Sequence, residues 1–174
     1  MDCFAVLAPP VPTNETSRLA ALRALLLLDT PPEQRFDKLV EFAASEFDVP
    51  IALFSLVDDD RQWFKSKFGT QMCSTSREIS LCGHAILHGQ LFIVPDALED
   101  ARFADNPLVS GPPHLRFYAG APLVLPSGEA IGTLCLIDSE ARQFDDIDQV
   151  MLGALRDLLL EEVLAQRLDA GEVR

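Results

Sequence analysis

The sequence has no apolar run long enough for a bilayer. Its longest apolar stretches, such as residues 49–57, are strand length. Positive charge is also scarce. Fourteen Lys and Arg stand against 27 Asp and Glu, a net charge of −13. Such a surface repels phosphate, so neither nucleic acid nor an anionic membrane is an expected partner. The four cysteines, Cys3, Cys73, Cys82 and Cys135, show no CxxC spacing, which excludes the common zinc signatures. The start MDCFAVLAPPVP lacks a basic n-region and carries an acidic second residue, which argues against a secretory leader. No Gly-rich phosphate loop is present, because Gly83 and Gly89 stand alone. The expectation is a cytoplasmic protein with reduced thiols, no bound metal and no cofactor.

What is present describes one globular domain. The chain has 174 residues, 48% of them hydrophobic and 24% charged, enough for a core without staples. Residues 1–14, rich in proline, read as an irregular arm, and 15–170 as a single domain. Glu15–Leu28 is rich in strong helix formers, and its leucines cover more than one face. Thr30 followed by Pro31, Pro32 and Glu33 predicts an N-cap and a second helix to Phe47. Ile51–Val57 and Arg61–Phe68 read as strands joined by an acidic turn at Asp58–Asp60, followed by a polar loop over Thr70–Glu78. Ser80 opens a short helix closed by Gly89. Leu91–Pro95 is a strand, and Asp96–Val109 is a set of helical turns pinned by Phe103 and Leu108. Asp145 or Asp146 caps a long helix to Leu168. Long helices therefore bracket a mostly antiparallel sheet, an α+β arrangement.

The chain is organised around the stretch Leu115–Asp138. Pro126-Ser127-Gly128-Glu129 separates two apolar runs, Leu115–Leu125 and Ala130–Asp138, which predicts a hairpin. Alternation puts Arg116, Tyr118 and Gly120 on one face, and Thr133 and Cys135 opposite Leu134 and Leu136. A face that mixes polar and small residues leaves room for a ligand, or else is an ordinary core whose Tyr hydroxyl finds a backbone partner. Cys82 and His84 lie two apart on the short helix, so they form no nucleophile–base pair by themselves. His84 and His88 are four apart, but no third metal ligand is evident.

Three segments carry a resemblance: LLLLDTPPEQRFDKLVEFAASEFDVPIALFSLVDDDRQWFKS, SLCGHAILHGQLFIVPDALEDARFADNPLV and RFYAGAPLVLPSGEAIGTLCLID. Together they resemble a GAF domain of the bacterial signalling type, over roughly residues 18–168. The resemblance implies a central antiparallel sheet of five or six strands. The first and last helices would lie on one face, and short helices and loops would cover a small-molecule pocket on the other. It also implies a homodimer through the terminal helices and a signalling partner protein. The last helix ends at Arg174 with no output module behind it, so a standalone GAF protein or a fragment of a longer chain is expected.

On this basis the chain is expected to be a sensory module and not an enzyme. The expected ligand contacts are Arg116 and Tyr118, with Thr133 and Cys135 on the next strand. Cys82 and His84 would sit on the lid helix, with Trp63 and Phe103 as apolar walls. A buried Arg116 would favour an anionic ligand unless Asp96 or Glu99 satisfies it. The ligand itself is unidentified. One rival is a thiol enzyme or redox sensor similar to the free methionine-(R)-sulfoxide reductases, in which Cys73 and Cys82 resemble two of three cysteines. The third is missing, since Gly111-Pro112-Pro113-His114-Leu115 holds none. The other rival is a dimerisation module with a collapsed pocket. The sequence has neither a Cys-His dipeptide, as in many bilin-binding GAF domains, nor an NKFDE-type signature.

Overall fold

The computed structural model describes residues 6–172, with side chains described to residue 165. Six strands form one antiparallel sheet in the order β3-β2-β1-β6-β5-β4. They are β1 (Ile51–Val57), β2 (Arg61–Phe68), β3 (Ser74–Ser76), β4 (Phe92–Val94), β5 (Phe117–Val124) and β6 (Ala130–Asp138). One face is covered by α1 (Glu15–Ala24), α2 (Gln34–Glu46) and α5 (Asp146–Glu172). The other is covered by α3 (Leu81–Ala85), α4 (Pro107–Ser110) and the loops around them. The expected α+β architecture is the one observed, with six strands.

The period-2 pattern of the central strands divides the core in two. Ala52, Phe54 and Leu56 of β1 join Phe117, Ala119, Ala121 and Leu123 of β5 and Leu134 and Leu136 of β6 under the long helices. Leu53 and Val57, Phe64, Tyr118 and Cys135 face the short helices. The β5–β6 turn closes as its sequence predicts. The Gly128 N–H donates to the Leu125 carbonyl at 2.8 Å, and Gly128 takes φ +103°, which a glycine holds without strain.

Several local expectations are corrected. Helix α1 stops at Ala24, four residues early, because Leu26 turns into the left-handed region at φ +55°. Thr30 does not cap α2, which begins at Gln34. Its hydroxyl instead donates to the Leu27 carbonyl and accepts from Lys65 Nζ at 2.6 Å, with the Pro31 carbonyl at 2.7 Å from the same ammonium. That buried lysine holds the Pro31-Pro32 segment outside the helix. The loop after β2 contains the short edge strand β3, paired to β2 through Trp63↔Ser74 and Arg61↔Ser76. Register shifts between Phe54 and Ser55 where β2 inserts Lys65 as an extra residue, so Ser66 turns to the helical side and its hydroxyl meets Asp37. Helix α3 ends at Ala85 rather than near Gly89, although Ser80 caps it as expected by accepting from the Gly83 N–H at 3.0 Å. At the start of α5, Asp145 and Asp148 cap each other's backbone N–H groups.

Candidate functional site

The sheet face beneath α3 gathers an unusual number of polar side chains. Ser55 of β1, Gln62 of β2, Ser80 and Cys82 of the lid, Tyr118 of β5, and Thr133 and Cys135 of β6 are all buried. Strand pairing brings them together. Ser55 lies opposite Thr133, and Gly120 opposite Cys135. Tyr118 stands two residues before Gly120 on the same face, and Cys82 hangs over them from α3.

Cys82 Sγ is the hub. The Tyr118 hydroxyl donates to it at 3.1 Å and the Thr133 hydroxyl at 3.1 Å, while Cys135 Sγ lies 3.9 Å away. Burial pushes the Cys82 thiol up, but hydrogen bonds from Cys135, Thr133, Tyr118 and Ser55 outweigh it and hold the group below its ordinary value. The partners shift the opposite way. Cys135 rises because its hydrogen bond to Cys82 keeps its proton and because it is buried. Tyr118 rises chiefly through burial and through the neighbouring Cys82 charge. Beside the hub, Gln62 Oε1 accepts from Ser80 at 2.6 Å and from Ser55 at 3.4 Å, so the lid and two strands share one amide.

The space left by small residues is filled from within. A Cβ on Gly120 would lie 2.4 Å from the Tyr118 hydroxyl, so the tyrosine ring occupies the room the glycine opens. An aromatic wall completes this side. His84 meets Phe103 edge-on at 5.0 Å and stacks on Phe92 at 6.3 Å, while Phe92 packs against Tyr118 at 6.1 Å. Burial lowers the His84 pKa, and the Leu7 carbonyl, 3.3 Å from Nε2, opposes that shift. The arm therefore covers the lid: Leu7 reaches His84, and a Cβ on Gly83 would lie 2.6 Å from Pro9 Cγ. A narrow cleft of about 30 Å³ remains on the same face, lined in part by Gln62, Phe64, Thr75 and Leu115. Thr75 Oγ1, which is buried there, has no hydrogen-bond partner.

Six of the eight expected residues thus meet: Cys82, His84, Phe103, Tyr118, Thr133 and Cys135. Two do not. Trp63 packs on the helical core, because β2 alternation turns Gln62 and Phe64 toward the lid instead. Arg116 precedes β5, and its Nη1 donates to the carbonyls of Val109 at 2.9 Å and Leu115 at 3.1 Å. These bonds turn the guanidinium toward the C-terminal end of α4 and away from the cluster. Cys73 is exposed, 3.3 Å from Lys67 Nζ, so the thiol beside Cys82 is Cys135 and not Cys73. Ser55, Gln62 and Ser80 are the site residues that sequence reasoning missed. A polar residue in the middle of IALFSLV was the available signal.

Among the described residues no three His, Cys, Asp or Glu side chains converge as metal ligands, and no helix is long and apolar enough to cross a membrane.

The family model of the GAF domain matches residues 31–161. A Pseudomonas aeruginosa protein named a cyclic di-GMP phosphodiesterase is 46% identical over 134 residues, which are 77% of this chain and 23% of that protein. The chain therefore spans less than a quarter of that relative's length. The expectation that the chain is not an enzyme is overturned by this relative, which shares the segment and is named as an enzyme. Among solved structures, the GAF domain of a Coxiella burnetii phosphoenolpyruvate-protein phosphotransferase aligns with TM-score 0.66 at 16% identity, covering 91% of this chain and 99% of that one. The free methionine-R-sulfoxide reductase of Neisseria meningitidis aligns with TM-score 0.63 at 21% identity, covering 88% and 90%. Likeness at that identity speaks for the fold alone.

Proposed function

The chain belongs to the GAF domain family, and from that premise we propose that it is the sensory, regulatory part of a protein that hydrolyses cyclic di-GMP. Its input is the cluster beneath α3. The observation that carries this reading is the cluster itself, five buried polar side chains on one sheet face and two more on the lid above it. A face built only for stability is served better by apolar groups, since each buried polar group must first recover its lost hydration. Tyr118 acts as the gate. Swinging its ring away from Gly120 opens room bounded by Thr133, Cys135, Gln62 and Phe103. The cleft with its unpartnered Thr75 hydroxyl adjoins the cluster at Gln62 and offers the way in. The lining offers hydroxyls, thiols and an amide, and Arg116 is turned away toward the Val109 and Leu115 carbonyls, so the ligand is a small uncharged hydrogen-bonding molecule.

A connection from lid to terminal helix supports the regulatory half of the reading. Arg77, three residues before Ser80, pairs with Glu15 of α1. Arg18 of α1 binds the same carboxylate and the Val57 carbonyl at 2.7 Å. A lid that shifts with ligand pulls on α1 through this network, and the population of lid states sets the output. In a homodimer, the exposed Ile147, Val150 and Leu158 of α5 carry the signal across the subunit boundary.

Native mass spectrometry and thermal melting of the purified chain against a panel of small polar metabolites test the input. A bound non-covalent mass, or a rise in melting temperature that Thr133→Val removes, is the expected result. No carried mass and no stabilisation by any compound would rule the input out.

A further inference from the structure

We propose that Cys82 and Cys135 form a redox-active dithiol, oxidised by peroxide to an internal disulfide. The inference stands on the geometry of the two sulfurs and holds whether or not the cluster binds a ligand. Both thiols are free and buried, and their sulfurs lie 3.9 Å apart. Two hydroxyl donors, from Tyr118 and Thr133, converge on Cys82 Sγ. Hydrogen bonds of that kind stabilise a sulfur anion, and the anion is the nucleophile in thiol oxidation. Cys135 lies beside the same hydroxyls, but its hydrogen bond to Cys82 and its burial outweigh them and keep its proton on, so the roles are unequal: Cys82 attacks and Cys135 resolves.

The chemistry balances with one peroxide. The Cys82 thiolate attacks a peroxide oxygen. An S–O bond forms, the O–O bond breaks, and the departing hydroxide leaves as water after taking a proton. Cys82 is now a sulfenic acid. Cys135 gives up its proton and its sulfur attacks Cys82 Sγ. The S–S bond forms, the S–O bond breaks, and a second water leaves. Two thiols lose two electrons and one peroxide gains them. The sulfurs must close from 3.9 Å to the ~2.05 Å of a disulfide, a change within reach of side-chain rotation and a small shift of α3. A peroxide is close to water in size, so its entry needs only local opening of the arm that covers Gly83 and His84.

Oxidation would remove the hub of the cluster. A disulfide sulfur is a weaker acceptor than a thiolate, so Tyr118 and Thr133 lose the partner that fixes them. The lid is then tied to β6 by a covalent bond.

The test treats the folded chain with hydrogen peroxide, blocks remaining thiols under denaturing conditions, and maps non-reduced peptides. A Cys82–Cys135 linked peptide that a dithiol reductant reverses is the expected product. Cys73→Ser should leave its yield unchanged. In Cys135→Ala, Cys82 should stop as a sulfenic acid that a cyclic 1,3-diketone traps. Recovery of Cys82 and Cys135 as free thiols while other cysteines oxidise would overturn the proposal, as would a link from Cys82 to Cys3 or Cys73. The wild-type map decides the matter even where a variant folds poorly.

Discussion

Replacing Glu15 by Gln removes one charge from a site where three elements meet. The carboxylate accepts from Arg18 Nε at 2.9 Å, from Arg18 Nη2 at 3.0 Å and from Arg77 Nη2 at 3.2 Å. Burial raises the Glu15 pKa, and the two guanidiniums more than reverse that, lowering it from 4.5 to about 2. At ~1.4 kcal/mol per tenfold change in proton affinity, the full shift is worth about 3 kcal/mol, and partial exposure of the carboxylate reduces this to about 2 kcal/mol. Gln keeps an acceptor but leaves two largely buried guanidiniums without a counter-charge, so Glu15→Gln should destabilise by about 2–3 kcal/mol at neutral pH. With a urea m-value of about 2 kcal/mol/M, the unfolding midpoint falls by about 1 M. The sign of the pH dependence is fixed. The folded pKa is depressed, so the stabilisation is fully present above 4.5 and is lost as pH falls toward about 2. Urea titrations of both proteins between pH 7 and pH 2.5 should therefore converge on the acid side. Equal midpoints at pH 7, or a gap that widens in acid, would refute the role given to this network.

The remaining predictions concern the cluster and its cover. Gly120→Ala places a Cβ against the Tyr118 ring and should destabilise by about 1–3 kcal/mol; paired with Tyr118→Ala in a double-mutant cycle read by urea unfolding, the two should be clearly non-additive. Tyr118→Phe removes a donor to Cys82, so the pH midpoint for Cys82 alkylation should move upward, and Thr133→Val should move it the same way. Gly83→Ala should push Pro9 off the lid and speed hydrogen exchange in α3 several-fold. His84 has a pKa lowered chiefly by burial, so the unfolded chain protonates first; stability should decline as pH drops below 6.5, and His84→Phe should flatten that decline in thermal melts.

Much of this architecture is legible in the residues. Strands β1 and β6 follow from apolar runs with clear ends, β2 from the alternation over Arg61–Phe68, and the β5–β6 turn from Pro126 to Gly128. Thr133, Cys135 and Tyr118 share a face because strand alternation admits only two choices. What was not legible depends on contacts distant in sequence. Thr30 has the form of a helix cap, but Lys65, 35 residues away, takes its hydroxyl. Arg116 follows the Tyr118 alternation only on paper, since the strand begins one residue later and the side chain folds back to α4. The inserted residue at Lys65 reverses the side of Ser66, and no local signal announces a bulge. Gly120 correctly indicates space, but not that Tyr118 fills it.

The most direct measurement replaces the matching segment of the Pseudomonas aeruginosa phosphodiesterase with this chain and follows cyclic di-GMP hydrolysis. Substitutions confined to the cluster, Tyr118→Ala and Thr133→Val, should change the hydrolysis rate several-fold while the chimera stays folded. A hydrolysis rate that is indifferent to both would contradict the assignment of the cluster as a regulatory input.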